Sequence, residues 1–130
     1  AAKAVAEVDV RAWTPEEAER ITQAVLNLKP HSSKAKLRIQ GGFVRPPMER
    51  NHVNAELFGR ARDIGKSLGL DLKESATGGG SDANFTAALG IPTLDGLGAI
   101  GNGAHADDEY IRVDLLPVRT AFLAALLLEL

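Results

Sequence analysis

A chain of mixed α/β class, organised in two parts, is what this sequence predicts, on three observations. The first forty residues read strand, helix, strand. The later residues alternate helices with short strands and glycine-rich turns. A proline-containing connection, Gly41-Gly42 through Arg50, separates the two parts near residue 50. The boundaries expected are therefore 1–50 and 51–130.

The elements follow in order. Val8 and Val10 alternate with Glu7, Asp9 and Arg11, the pattern of a half-buried strand. Thr14-Pro15-Glu16-Glu17 is a strong helix start: Thr14 can cap, Pro15 suits the first helical position, and Glu17 completes a capping box. Ala18, Ile21, Val25 and Leu28 continue at helical spacing, and Pro30 ends the run. Ala35, Leu37 and Ile39 alternate with charged and polar residues and predict a second strand. One such strand–helix–strand unit leaves a sheet face uncovered, so it is expected to belong to a larger sheet.

In the second part, Leu57, Ala61, Ile64 and Leu68 share one face of a helix expected over Asn54 to Leu68, with Gly69 as its stop. Leu70 to Ser75 reads as a strand. Gly78-Gly79-Gly80-Ser81-Asp82 is a tight loop into a short helix, Ala83 to Leu89, stopped by Gly90. Ile91 to Leu94 reads as a short strand, and the glycine-rich 95–105 stretch is expected to be irregular. Pro117 opens a last helix that is apolar nearly all round, a pattern that predicts deep burial.

Composition narrows the function classes. Of the 130 residues, 45% are hydrophobic and 25% charged, as in a globular protein. The net charge of −2 offers no basic stripe for nucleic acid and no polybasic patch for a membrane surface. Cysteine is absent, which removes disulfides and thiolate metal sites. The longest apolar stretch, Ala121 to Leu128, is too short to span a bilayer. The chain opens inside a strand pattern without a methionine, so an upstream part of a larger protein is expected. The cytoplasm and the periplasm both stay open as its compartment.

Three constellations have chemical potential. His105 follows a glycine-rich loop and precedes Asp107-Asp108-Glu109, whose carboxylates could orient a metal-bound imidazole. A polar loop residue is the commoner meaning of such a histidine, and spacing alone does not overrule it. The Gly78-Gly79-Gly80 run can bring backbone amides to an anion ahead of a helix, or can be a plain tight turn; it lacks the Gly-Lys-Ser/Thr of a phosphate loop, and Asp82 would repel an anion on its side. Arg45 sits in a stiff connection ahead of Pro46-Pro47, and an arginine fork suits a planar carboxylate; a solvated loop arginine is the bland alternative, and the same holds for Arg11. Ser81 lacks a nucleophile elbow, and Trp13, His31 and His52 read as structural or surface residues.

Taken together, these segments resemble the glutamate carboxypeptidase, acetylornithine deacetylase and aminoacylase family of di-zinc metallopeptidases. Val8-Asp9-Val10-Arg11 resembles a strand of that family's lid, or dimerisation, domain. Thr77-Gly78-Gly79-Gly80-Ser81-Asp82, the Gly90–Gly98 run and Gly103-Ala104-His105 with Glu109-Tyr110 look like its C-terminal signature. Each piece is weak alone, the combination is specific, and it covers essentially the whole chain. The resemblance implies half of a ferredoxin-like lid over 1–50, followed by the C-terminal segment of a zinc-peptidase catalytic domain. It implies that His105 ligates one of two zinc ions, that Arg45 grips the free carboxylate of an N-acyl amino acid or peptide, that Gly78, Gly79 and Gly80 line the same pocket, and that Arg11 is a lid arginine nearby. The family's other metal motifs and its catalytic glutamate have no counterpart here. The chain is thus expected to be inactive alone and to hold at most a partial zinc site, with a non-enzymatic dimerisation or ligand-binding module as the alternative. A half-lid exposes a strand edge, so a homodimer or swapped oligomer is expected.

Overall fold

The computed structural model describes residues 2–130. These form four α-helices, a 3₁₀ turn and one two-stranded antiparallel sheet, a mixed α+β arrangement. They fall into two compact units that are not consecutive in sequence. The first runs up to Glu49 and resumes over Thr77–Ile91; the second joins Arg50–Ala76 to Pro92–Leu130.

In the first unit, helix α1 spans Pro15–Leu26. The Thr14 side-chain oxygen accepts the Glu17 amide at 3.2 Å, satisfying one of the first-turn donors that a helix leaves without partners. The Glu17 carboxylate takes two guanidinium N–H bonds from Arg20, both at 2.7 Å, so its side chain serves the helix surface. Ala18 is the buried residue of α1. Helix α2, Ala83–Ala88, ends at Gly90, whose φ of 77° is the left-handed conformation that glycine adopts without a Cβ clash.

The second unit is built on helix α3, His52–Ser67, and helix α4, Leu116–Glu129. The Asn51 side chain caps α3 by accepting the Asn54 amide at 2.8 Å. Its other end closes with the Gly69 amide donating to the Lys66 carbonyl and the Leu70 amide to the Gly65 carbonyl, with Gly69 at φ 74°. That paired closure is the Schellman motif, and it turns Leu70 and Leu72 back onto the helix. The core is Ala61, Ile64, Phe122 and Leu126, with Leu70, Leu72, Leu94, Leu97 and Ala125 packed against it. Gly65 lets this happen: a Cβ there would lie 2.7 Å from the Leu72 Cδ1. Buried Asn54 accepts the Thr93 amide at 2.9 Å and so fixes the chain where it re-enters this unit.

Strands β1, Gly101–Asn102, and β2, Tyr110–Ile111, pair antiparallel. The 3₁₀ turn Val113–Leu115 leads from β2 into α4. No helix among the described residues is long and apolar enough to cross a membrane.

Three expectations need correction. The segments read as strands, around residues 8–10, 35–39, 70–75 and 91–94, form no ladder among the described residues. Alternation reports a face that needs cover, whereas a strand also needs a neighbour for its N–H and C=O groups. Leu72 and Leu94 instead pack their side chains on the helical core. The 95–105 stretch is not wholly irregular, because Gly101 enters β1; a Cβ there would lie 2.0 Å from the Tyr110 carbonyl oxygen, so glycine is what admits the pairing. Helix α4 is not deeply buried all round: Phe122 and Leu126 are buried, but Leu127 is 80% and Leu128 87% exposed.

Candidate functional site

The first unit brings two arginines against one glycine loop. Arg11 donates to the Gly78 carbonyl at 2.9 Å and is oriented by Asp9, whose Oδ2 accepts from Nε at 3.0 Å and from Nη2 at 2.8 Å. Arg45 approaches the same loop from the Arg45-Pro46-Pro47 connection. Its Nη2 lies 3.2 Å from the Asp82 carboxylate, and its guanidinium sits 5.6 Å from the centre of the Phe85 ring. A cation held over a ring face keeps its charge while its stem is covered.

The glycines make this approach possible. A Cβ on Gly78 would meet the Arg11 side chain at 3.3 Å, and one on Gly80 would meet the Arg45 Cδ at 3.1 Å. The loop between them is held by short polar bonds. Thr77 Oγ1 accepts the Gly79 amide at 3.2 Å, and Ser81 Oγ accepts the Ala83 amide at 3.2 Å. Asn84 ties the parts together: its Oδ1 accepts the Ser81 amide at 2.9 Å, and its Nδ2 donates to the Pro46 carbonyl at 2.8 Å. Sequence reasoning gave Asn84 no role. The available signal was its place three residues beyond Ser81, within reach of the loop amide, but nothing local announces the bond to Pro46.

An arginine fork is the side chain whose geometry matches a planar carboxylate. Arg45 keeps 43% of its side chain exposed, and its partner Asp82 is 91% exposed. A surface pair of that kind is worth about 1 kcal/mol or less, so a better-placed carboxylate can replace it.

His105 belongs to the second unit. It lies in the turn between β1 and β2, is exposed, and holds φ at 69°, the one non-glycine residue at positive φ among those described. Its amide donates to Glu109 Oε2 at 3.3 Å, while the Ala106 amide donates to the Gly103 carbonyl at 2.8 Å. A side-chain-bearing residue held at positive φ is strained, and such strain gathers at functional turns. Among the described residues no group of three or more His, Cys, Asp or Glu side chains is arranged to hold a metal ion. A zinc site takes about four donors.

The second unit also has a shallow cavity of about 160 Å³, lined by Phe58, Leu72, Leu94, Leu97 and Phe122 together with the polar Lys73, Asp95 and Arg119. Its apolar lining is continuous with the core.

Comparison with known proteins finds a family that the chain matches. Residues 2–129 match the profile described as peptidase family M20/M25/M40. Over 91 residues the chain is 37% identical to a protein named carboxypeptidase G2 from Pseudomonas sp. (strain RS-16). That match covers 66% of this chain and 21% of the relative, so the chain spans about a fifth of the relative's length. No solved structure matches the chain.

Proposed function

The chain belongs to peptidase family M20/M25/M40, and from that premise we propose that it is the closing segment of a zinc-dependent amidohydrolase that releases an amino acid such as glutamate. Residues 1–50 would be half of the lid and 51–130 the end of the catalytic domain. The observation that carries the proposal is the convergence of Arg11 and Arg45 on the Gly78–Gly80 backbone. Each guanidinium is already paired with an aspartate, so the free carboxylate of an N-acyl amino acid or peptide would bind by exchange, taking the place of Asp82 on Arg45. Arg45 supplies the fork, because Asp82 leaves it more readily than Asp9 leaves Arg11: the Asp9 pair is two-pronged.

His105 would donate one imidazole to a zinc pair whose other ligands come from residues this chain does not contain. The metal's contribution would be to activate water and polarise the scissile carbonyl. The chain's own part is to bind and orient the carboxylate and to present His105. Alone it binds without turnover, and it pairs with a second copy or exchanges elements with one.

The test is calorimetric titration of N-acetylglutamate into the chain and into Arg45→Ala. Losing a charge-assisted contact costs about 1.5–3 kcal/mol, so Arg45→Ala should bind roughly ten- to a hundredfold more weakly. Equal affinity for both proteins contradicts the assignment of Arg45. Hydrolysis of the same compound by the chain with added zinc contradicts the claim that the remaining ligands lie elsewhere.

A further inference from the structure

Helix α4 carries one basic residue, Arg119, in a sequence whose other polar side chains are Thr120 and Glu129. Arg119 is only partly buried, so its donors need not be used within the chain. They are: Nε donates to the Gly98 carbonyl at 2.9 Å and Nη2 to the Gly96 carbonyl at 2.7 Å, while the guanidinium lies 5.7 Å from the centre of the buried Phe122 ring.

The two carbonyls flank Leu97, whose side chain packs against the core that includes Phe122. Gly96 is at φ 71°, and its amide donates to the Asp95 carboxylate at 2.8 Å. Gly98 has no heavy atom within 4 Å of where a Cβ would stand. Two residues further on, the Ile100 carbonyl accepts the Arg112 amide at 2.7 Å, and β1 begins. The β1–β2 turn bearing His105 is therefore tied to α4 covalently, through the 3₁₀ turn Val113–Leu115, and on its other side by the grip of Arg119 beside the packed Leu97.

We propose that Arg119 is a positioning residue for His105: by gripping the Gly96 and Gly98 carbonyls it fixes the glycine loop from which the His105 turn springs. The claim rests on the reading of His105 as a functional side chain. It does not depend on Arg119 touching a ligand. Without the grip, glycine freedom at 96 and 98 passes into the turn.

The experiment is backbone NMR of the metal-free chain as wild type, Arg119→Met and Arg119→Lys. Methionine keeps the packed stem; lysine keeps the charge but, as a point donor, cannot bridge two carbonyls as a fork does. In the wild type, order parameters of residues 96–105 should be near 0.85, and His105 should give the strong intraresidue HN–Hα NOE that positive φ produces. In Arg119→Met they should fall below about 0.6 and the NOE should weaken, with Phe122 and Leu126 amide protection kept within about twofold of the wild type; Arg119→Lys should do the same. Unchanged order and NOE at His105 in either folded variant overturn the proposal. If both variants lose core protection, the wild type is warmed instead. The Arg119 Nε–H exchange and the order of residues 96–105 should then change together; loss of order while Nε–H stays protected overturns the proposal. Zinc is absent throughout, so a separate zinc titration of His105→Ala, which should bind the ion more weakly, tests the ligand reading independently.

Discussion

Gly80 and Gly79 are neighbours with different duties, and the difference is measurable. A methyl at Gly80 would press on the Arg45 Cδ at 3.1 Å, whereas at Gly79 it would meet only the Thr77 Oγ1 at an ordinary 3.6 Å. Gly80→Ala should therefore weaken N-acetylglutamate binding about tenfold, or ~1.4 kcal/mol, by displacing the arginine. Gly79→Ala should leave it within about twofold. Titration of both variants checks this, and equal losses would mean that Arg45 is not the gripping group. Acid sensitivity also belongs to single residues. The hydrogen bonds from Arg50 hold the Glu74 carboxyl below its ordinary range, as those from Arg20 do for Glu17 and those from Arg112 for Asp114. Each of these carboxyls binds its proton more weakly folded than unfolded. Their contribution is complete above the unfolded carboxylate range, about pH 4, and is lost as pH falls through the lower folded values. Urea midpoints should thus be flat from pH 7 to about 5 and fall towards pH 3. Arg50→Gln should flatten part of that fall.

The helices were legible in the sequence because their signals are local. Thr14-Pro15-Glu16-Glu17 starts α1, and Gly69 and Gly90 end α3 and α2 at positive φ, all within a few residues of where the pattern puts them. Gly69→Ala should cost about 1 kcal/mol through its backbone alone, since no heavy atom lies near its Cβ position. Thr14→Ala should cost about 1 kcal/mol through the lost cap. Phe122→Ala, which empties the centre of the α3–α4 contact, should cost about 3–5 kcal/mol. Chemical denaturation ranks the three, and a Phe122 effect no larger than that of Thr14 would show that α3 and α4 do not share a core. The strands were misread because pairing is a non-local property. Nothing in Ala35, Leu37 and Ile39 says whether another strand lies alongside, and Gly101 gives no sign in sequence that Tyr110 will approach it.

On the scale of the whole molecule, too little surface is buried. The chain exposes 10388 Å² for 13.8 kDa. A compact monomer of that mass exposes about 6,600 Å², and two separate compact units of half the mass only about 8,000 Å². The excess does not depend on how the two units are arranged. It includes apolar residues such as Val5, Val8, Val44, Leu127 and Leu128, all more than three-quarters exposed. Exposed apolar surface on this scale calls for cover. Sedimentation should show dimers or larger species growing with concentration, and Leu127→Lys with Leu128→Lys should shift the chain towards monomer; a monomer at every concentration would contradict the proposed pairing. In the site, the sequence offered the arginines and glycines as candidates but not their convergence. Arg11 meets Gly78 across sixty-seven residues, and Asn84 meets Pro46 across thirty-eight. Contacts that distant are set by the fold and leave no mark in local spacing.

The most direct measurement is the Nε–Hε signal of Arg45 as N-acetylglutamate is added to the chain, with N-acetylglutamine amide as the uncharged control. Binding through the fork predicts that Arg45 and the Gly78–Gly80 amides shift together, saturably, with N-acetylglutamate and not with the amide. Saturable shifts confined to other residues, or an equal response to the amide, would contradict a carboxylate site at this loop.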